Sequence, residues 1–242
     1  MYPDNKHPSS NIEEMKTDDS LKKKTREWMN HAARYKYTYG FTWMGVPIIQ
    51  QPQDVMAFQE IIWKVKPDLI VETGIAHGGS LLLSASLLEL MGGERNVIGI
   101  DIDIRAHTRE AIEKNSLSKR IRMIEGSAVE KSTVDQFYDT AGNFTKALLI
   151  LDSNHTHEHV LNELLIYSET VKKGSYIIVC DTRIEDCPVE FFKDRPWGTG
   201  NNPKTAVHEF LEKNDRFVID KHIPDKLLIT ANPDGYLKCI KD

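Results

Sequence analysis

From residue 68 onward, short apolar runs alternate with longer stretches in which apolar residues recur every three or four positions. The runs at 68–71, 97–101, 121–125, 146–152 and 175–181 are rich in Ile, Leu and Val, and each is four to seven residues long, the length of a buried strand. Between them, 81–88 is helix-prone and apolar nearly all round, while 105–115, 129–138 and 157–171 have one polar face. Ahead of the first run, Val55, Phe58, Ile61, Ile62 and Val65 recur at helical spacing over 54–64, and Pro67 stops that helix. Strict alternation of this kind predicts a parallel sheet covered on both faces by helices.

The pattern is different at the two ends. Residues 1–20 are polar and read as a poorly ordered lead-in to a helix carrying Leu21, Trp28, Met29 and Ala32. Residues 35–47 are crowded with aromatics and broken by Gly40, Gly45 and Pro47, which fits a loop packed on the main body or a lid. After residue 181 come an irregular loop to 203, a helix over 204–213 and two closing strands over 216–220 and 226–230. Gly235 then turns the chain into 236–240. We divide the chain into a helical and aromatic extension, 1–66, and one α/β domain, 67–242.

Composition narrows the class. With 40% hydrophobic and 28% charged residues and a net charge of −5, the chain is ordinary for a globular protein and does not suggest nucleic-acid binding. No apolar run reaches the roughly 20 residues needed to span a bilayer, so no membrane insertion is expected. Cys180, Cys187 and Cys239 are odd in number and widely spaced, which argues against a disulfide scaffold and for a reducing cytoplasm.

The candidate chemistry lies where strands end. Val71-Glu72-Thr73-Gly74-Ile75-Ala76-His77-Gly78-Gly79-Ser80 joins the first strand to the first following helix through glycines. Glycines let the backbone approach a ligand, and the free amides of a helix start favour an anionic or polar group, as a nucleotide-like cofactor needs. The spacing differs from the G-x-G-x-x-G dinucleotide fingerprint because Ala76 stands where a glycine is required, so the same turn could also be only a tight connection.

Glu72, Asp101, Asp152 and Asp181 each fall at a strand's carboxyl end, the rim on which ligands collect in such sheets. Any one of them could be a helix N-cap; four together suggest a site. Asp101 suits ribose hydroxyls and Gly126-Ser127 an adenine edge. Asp152 and Asp181 would repel unless a cation lay between them, and a hard divalent ion such as Mg²⁺ fits. His155 could take a proton as general base. A zinc cluster of His155, His157 and His159 is the rival reading, though alternate residues share a face only in a strand.

Glu72-Thr73-Gly74-Ile75-Ala76-His77-Gly78-Gly79-Ser80, Gly99-Ile100-Asp101-Ile102-Asp103, Leu151-Asp152-Ser153-Asn154-His155 and Asn232-Pro233-Asp234-Gly235-Tyr236-Leu237, in that order, resemble the cephalosporin hydroxylase / rhamnosyl O-methyltransferase family. That family is related to the metal-dependent sugar O-methyltransferases of macrolide biosynthesis, and the resemblance runs from about Trp43 to the C-terminus.

It implies a Rossmann-like class I methyltransferase fold with a mostly parallel seven-stranded sheet. It implies S-adenosyl-L-methionine (SAM) bound by Glu72, Gly74, His77, Gly78, Ser80, Asp101, Ser127 and Asp152. Mg²⁺ is expected on Asp152 and Asp181, with His155 and Asp152 as the catalytic pair. The expected acceptor is a small molecule containing a sugar, and the aromatic N-terminal segment suggests a homo-oligomer.

One position departs from the family: Cys180-Asp181 stands where Glu-Asp is usual, so a thiol takes the place of a carboxylate ligand. Thiols are poor partners for Mg²⁺, and Glu185 or Asp186 could substitute. The rival functions are a non-catalytic SAM-binding scaffold with a degraded metal site, and a hydroxylase or other oxidoreductase.

Overall fold

The structure is a computed structural model and describes residues 8–242. Two N-terminal helices, α1 (Pro8–Thr17) and α2 (Asp19–Ala33), lead through a minimal hairpin, β1 (Thr42–Trp43) and β2 (Val46–Pro47), to α3 (Pro52–Val65). The alternating body follows as β3 (Leu69–Thr73), α4 (Gly79–Met91), β4 (Asn96–Asp101), α5 (Ala106–Glu113), β5 (Ile121–Glu125), α6 (Lys131–Ala141), β6 (Ala147–Leu151), α7 (His157–Tyr167) and β7 (Tyr176–Val179). The chain closes with α8 (Pro203–Lys213), β8 (Phe217–Ile219), α9 (His222–Leu227) and β9 (Tyr236–Cys239).

These strands form one seven-stranded sheet in the order β5-β4-β3-β6-β7-β9-β8. The first five are parallel, and β9 runs antiparallel to both β7 and β8. Successive strands are added in one direction from β3 to β5 and in the other from β6 onward, so the topological switch lies between β3 and β6, where ligands settle in open sheets. Strand parity then divides the core. Ile70, Leu148, Ile150 and Ile178 face α3 and α4, while Val71, Ile98, Leu149 and Ile177 face α6, α7 and α8.

Two expectations at the ends are corrected. Polar residues 8–17 are helical, and Asp18 caps α2 by accepting from the Leu21 amide at 2.8 Å, so the helical region begins earlier than expected; the first seven residues lie outside the described ones. α1 packs against α9, which supplies the support its own polar sequence lacks. The strand expected at 226–230 is instead α9 and a turn, with Leu228 at φ +60°. Thr230 and Ala231 both hydrogen-bond the Asp54 carboxylate, so they make no ladder, and β9 supplies the remaining strand, between β7 and β8.

Candidate functional site

The glycine turn after β3 is a backbone device. Gly74 has φ +89°, and a Cβ there would stand 2.1 Å from the carbonyl oxygen of Asp152, so only glycine lets the end of β3 approach that of β6 so closely. Ala76 adopts φ +47° where a dinucleotide fingerprint would place glycine. Gly79, the first residue of α4, is pressed by the 47–50 segment; its Cβ would meet the Pro47 carbonyl oxygen at 2.3 Å. Together these residues wall a narrow cleft of about 40 Å³ lined by Ile49, Gln50, Gly74, His77, Ser80 and Asp152.

Parity brings Glu72, Asp101, Asp152 and Cys180 out on the α3/α4 side of four adjacent strand ends. Glu72 is 1% exposed; Ser80 Oγ donates to its Oε1, and its Oε2 is buried without a partner among the described residues. Burial pushes its carboxyl up to about 7. An unpartnered buried carboxylate behind Ser80, which lines the cleft, is a place for a cationic group.

Asp101 Oδ2 accepts from the amides of Ile75 (2.7 Å) and Ala76 (3.2 Å), and Oδ1 from Asp103 (3.0 Å). Its carboxylate therefore braces the turn and keeps one of about four lone-pair positions for a hydroxyl. Gly126 donates to the Asp101 carbonyl at 2.8 Å, which sets Ser127 beside it, on the edge-strand side of the cleft. His77 lies over the turn with its ring 6.1 Å from that of His107.

The other half of the rim is a cluster of ligand-type atoms. Among the described residues, Asp152, His155 and Asp181 hold theirs within 4.8 Å of one another, with His155 Nε2 3.2 Å from Asp181 Oδ2. Burial, then the charge of Asp181, then that of Glu72, push the Asp152 carboxyl up. The two carboxylates suit a divalent cation, which would relieve that repulsion, and the imidazole beside them is placed to take a proton.

Cys180 is not in the triad. Its side chain is buried in the α3/α4 core, and burial followed by the surrounding acids keeps the thiol protonated, so His155 occupies the third position that sequence reasoning assigned to sulfur. Asp181 reaches the triad because φ +56° breaks the strand alternation at that residue.

The three histidines go separate ways, so the zinc cluster does not form. His157 lies 2.8 Å from Thr205 Oγ1 through Nδ1 and 3.0 Å from Glu209 through Nε2, clamping α7 to α8. His159 Nε2 is 3.1 Å from Ser153 Oγ and 3.5 Å from buried Glu163. Both are paired and partly buried.

Two further contributors went unread in the sequence, both from the segment before β3. Gln50 Nε2 donates to Asp152 Oδ2 at 2.9 Å. Asp54, fully buried and pushed up to about 6 chiefly by burial, accepts from Thr230, the Ala231 amide and Tyr236 Oη. The loop it secures presents Asn232, whose Oδ1 accepts from the Asp181 amide at 3.0 Å. The only hint was a polar residue in an otherwise apolar stretch, Gln50 after Ile48-Ile49, and an acid in the first turn of an apolar helix.

Trp197 packs edge-to-face on His155 with ring centroids 5.0 Å apart. The loop behind it is pinned by reciprocal Gly198–Asn201 backbone bonds of 3.0 Å and by Asn202, which caps α8 and bonds the Gly198 carbonyl. No described helix is long and apolar enough to cross a membrane.

Residues 35–240 match the family model described as rhamnosyl O-methyltransferase/CmcI. A rhamnosyl O-methyltransferase of Mycobacterium tuberculosis is 26% identical over 212 residues, covering 84% of this chain and 82% of that protein. A CmcI structure described with Mg and SAM superposes with a TM-score of 0.58 at 21% identity, covering 84% of this chain and 77% of its own. An O-methyltransferase from Bacillus cereus in complex with SAH superposes at 0.57 with 14% identity, covering 93% and 92%. The last two share the fold.

Proposed function

Because the chain belongs to the rhamnosyl O-methyltransferase/CmcI family, we propose that it transfers the methyl group of SAM to a hydroxyl of a sugar or sugar-bearing small molecule, assisted by a divalent metal such as Mg²⁺. The observation that supports this most is the meeting, at the switch point between β3 and β6, of a glycine-walled cleft with the Asp152–His155–Asp181 triad, Asp152 lining both. When bound, SAM supplies the methyl group and the metal a Lewis acid.

The residues divide the rest. Glu72, with its unpartnered oxygen, would balance the cationic methionine end. Gly74, His77 and Ser80 line the cleft, Gly78 lets the turn close against Ile112 of α5, and Asp101 and Ser127 would lie toward the nucleoside. Asp152 and Asp181 would hold the metal. His155, oriented by Asp181 and Trp197, takes the acceptor's proton. Cys180 stays a neutral core thiol. Bringing donor and acceptor together in one cleft supplies much of the rate by removing translational freedom.

The extension 1–66 completes the domain 67–242 by lending Gln50 and Asp54 to the site. Three free buried thiols fit a cytoplasmic setting, and exposed Tyr35, Tyr39 and Trp63 support a homo-oligomer.

Calorimetry with SAM and S-adenosylhomocysteine tests the reading. Binding by the wild type that is lost in Glu72→Ala with Asp101→Ala supports it. No binding by wild type, or equal binding by the double variant, ends it.

A further inference from the structure

A second cavity, about 450 Å³, lies between α2 and the segments that follow Asp181 and α9. Lys22, Thr25, Arg26 and Met29 recur at helical spacing, so one stripe of α2 forms a wall. Arg183 stands opposite and donates through Nη2 to Asn30 Oδ1, which ties the two walls together.

The charges in this cavity are unbalanced. Lys22, Arg26 and Arg183 have no ion pair among the described residues. Of the two acids in the lining, Asp186 is taken by Lys204 at 2.7 Å, which leaves Asp225 alone against three cations. A concavity lined by one sign of charge focuses its field and draws the opposite charge in, and guanidinium groups match the oxygen geometry of phosphate and carboxylate. The cavity also adjoins the reacting rim. Arg183 is two residues beyond Asp181, so their Cα atoms are at most about 7 Å apart, and Thr230 in the same lining is bonded to Asp54.

We propose that this cavity binds an oxyanion, a phosphate or carboxylate carried by the sugar acceptor, and so orients the acceptor's hydroxyl toward the Asp152–His155–Asp181 triad. The assignment of the anion to the acceptor rests on the methyl-transfer reading; the anion site itself does not. Lys22 is half-buried and Arg26 exposed, so their replacement leaves the core intact.

Inorganic pyrophosphate, titrated by calorimetry into the full chain with chelator present, is the first probe. The expected result is binding that weakens with added salt and falls at least tenfold in Lys22→Ala with Arg26→Ala, while SAM affinity stays within twofold. Equal pyrophosphate binding by both proteins overturns the site.

The second arm compares rhamnose 1-phosphate with methyl rhamnoside in SAM turnover. A KM that rises at least fivefold in the double variant for the phosphorylated sugar relative to the neutral one supports the acceptor as the source. Equal KM changes overturn that source in favour of a free anion. Failure of both sugars, with the pyrophosphate difference intact, counts against the methyl-transfer reading and leaves the anion site standing.

Discussion

The two halves of the rim are built by opposite means. The half proposed for the cofactor is local: β3, the glycine turn and the start of α4 lie within about a dozen consecutive residues, and the Asp101 carboxylate from the neighbouring strand braces the turn. The metal half is assembled from afar. Asp152 is held by Gln50, 102 residues away, and Asp181 by Asn232, 51 residues away, on a loop that Asp54 ties down. A local site is written into one stretch of chain, whereas a dispersed one depends on several segments docking correctly. Damage to each half should therefore be separable.

The largest effect is expected where the halves touch. Gly74→Ala puts a Cβ 2.1 Å from the Asp152 carbonyl oxygen at φ +89°. It should lower stability by about 4 kcal/mol or more, or prevent folding. Thermal denaturation checks this, and a Tm within a few degrees of wild type would show that the strand ends need not meet so closely.

Next, Asp152→Asn removes a charge from the triad and should reduce methyl transfer on the order of 10²–10³-fold. Steady-state kinetics at saturating SAM and metal measures it; near-normal kcat would remove the triad from the chemistry.

Gln50→Leu sharpens the comparison, because Asp152 loses its donor while the cleft that Gln50 also lines keeps its bulk. Metal affinity should drop about 10- to 100-fold while SAM binding changes less than threefold. Parallel titrations with Mn²⁺ and SAM decide it, and equal losses in both would mean that the halves are not independent.

The smallest effect is a pH dependence of SAM binding. Glu72 is raised from 4.5 to about 7 by burial, so its carboxylate is present only at higher pH. SAM binding should weaken up to about tenfold per unit as pH falls below 7, and Glu72→Gln should flatten the profile. The folded state holds this proton more tightly than the unfolded chain. Its stabilising contribution, about 3 kcal/mol, is therefore fully present below pH 4.5 and lost as pH rises through 7. Bound SAM should offset that loss, which denaturant titration from pH 5 to 8 would reveal.

The sequence by itself determined the alternating core, because a strand buried on both faces must be apolar through its length, and the four inner parallel runs are, while edge strand β5 carries exposed Arg122 and Glu125. It also determined that Glu72, Asp101, Asp152 and Asp181 end their strands, since the switch from apolar to acidic is a one-dimensional signal.

Tertiary structure decided what those acids do. That Asp101 braces a turn, that Asp181 swings out of register through a left-handed backbone, and that His155 rather than Cys180 completes the triad all depend on neighbours distant in the chain. The same holds for Thr230, which reads as β-prone until Asp54, 176 residues earlier, takes its hydroxyl. Periodicity reports which face of an element is buried; only packing reports what waits on the other side.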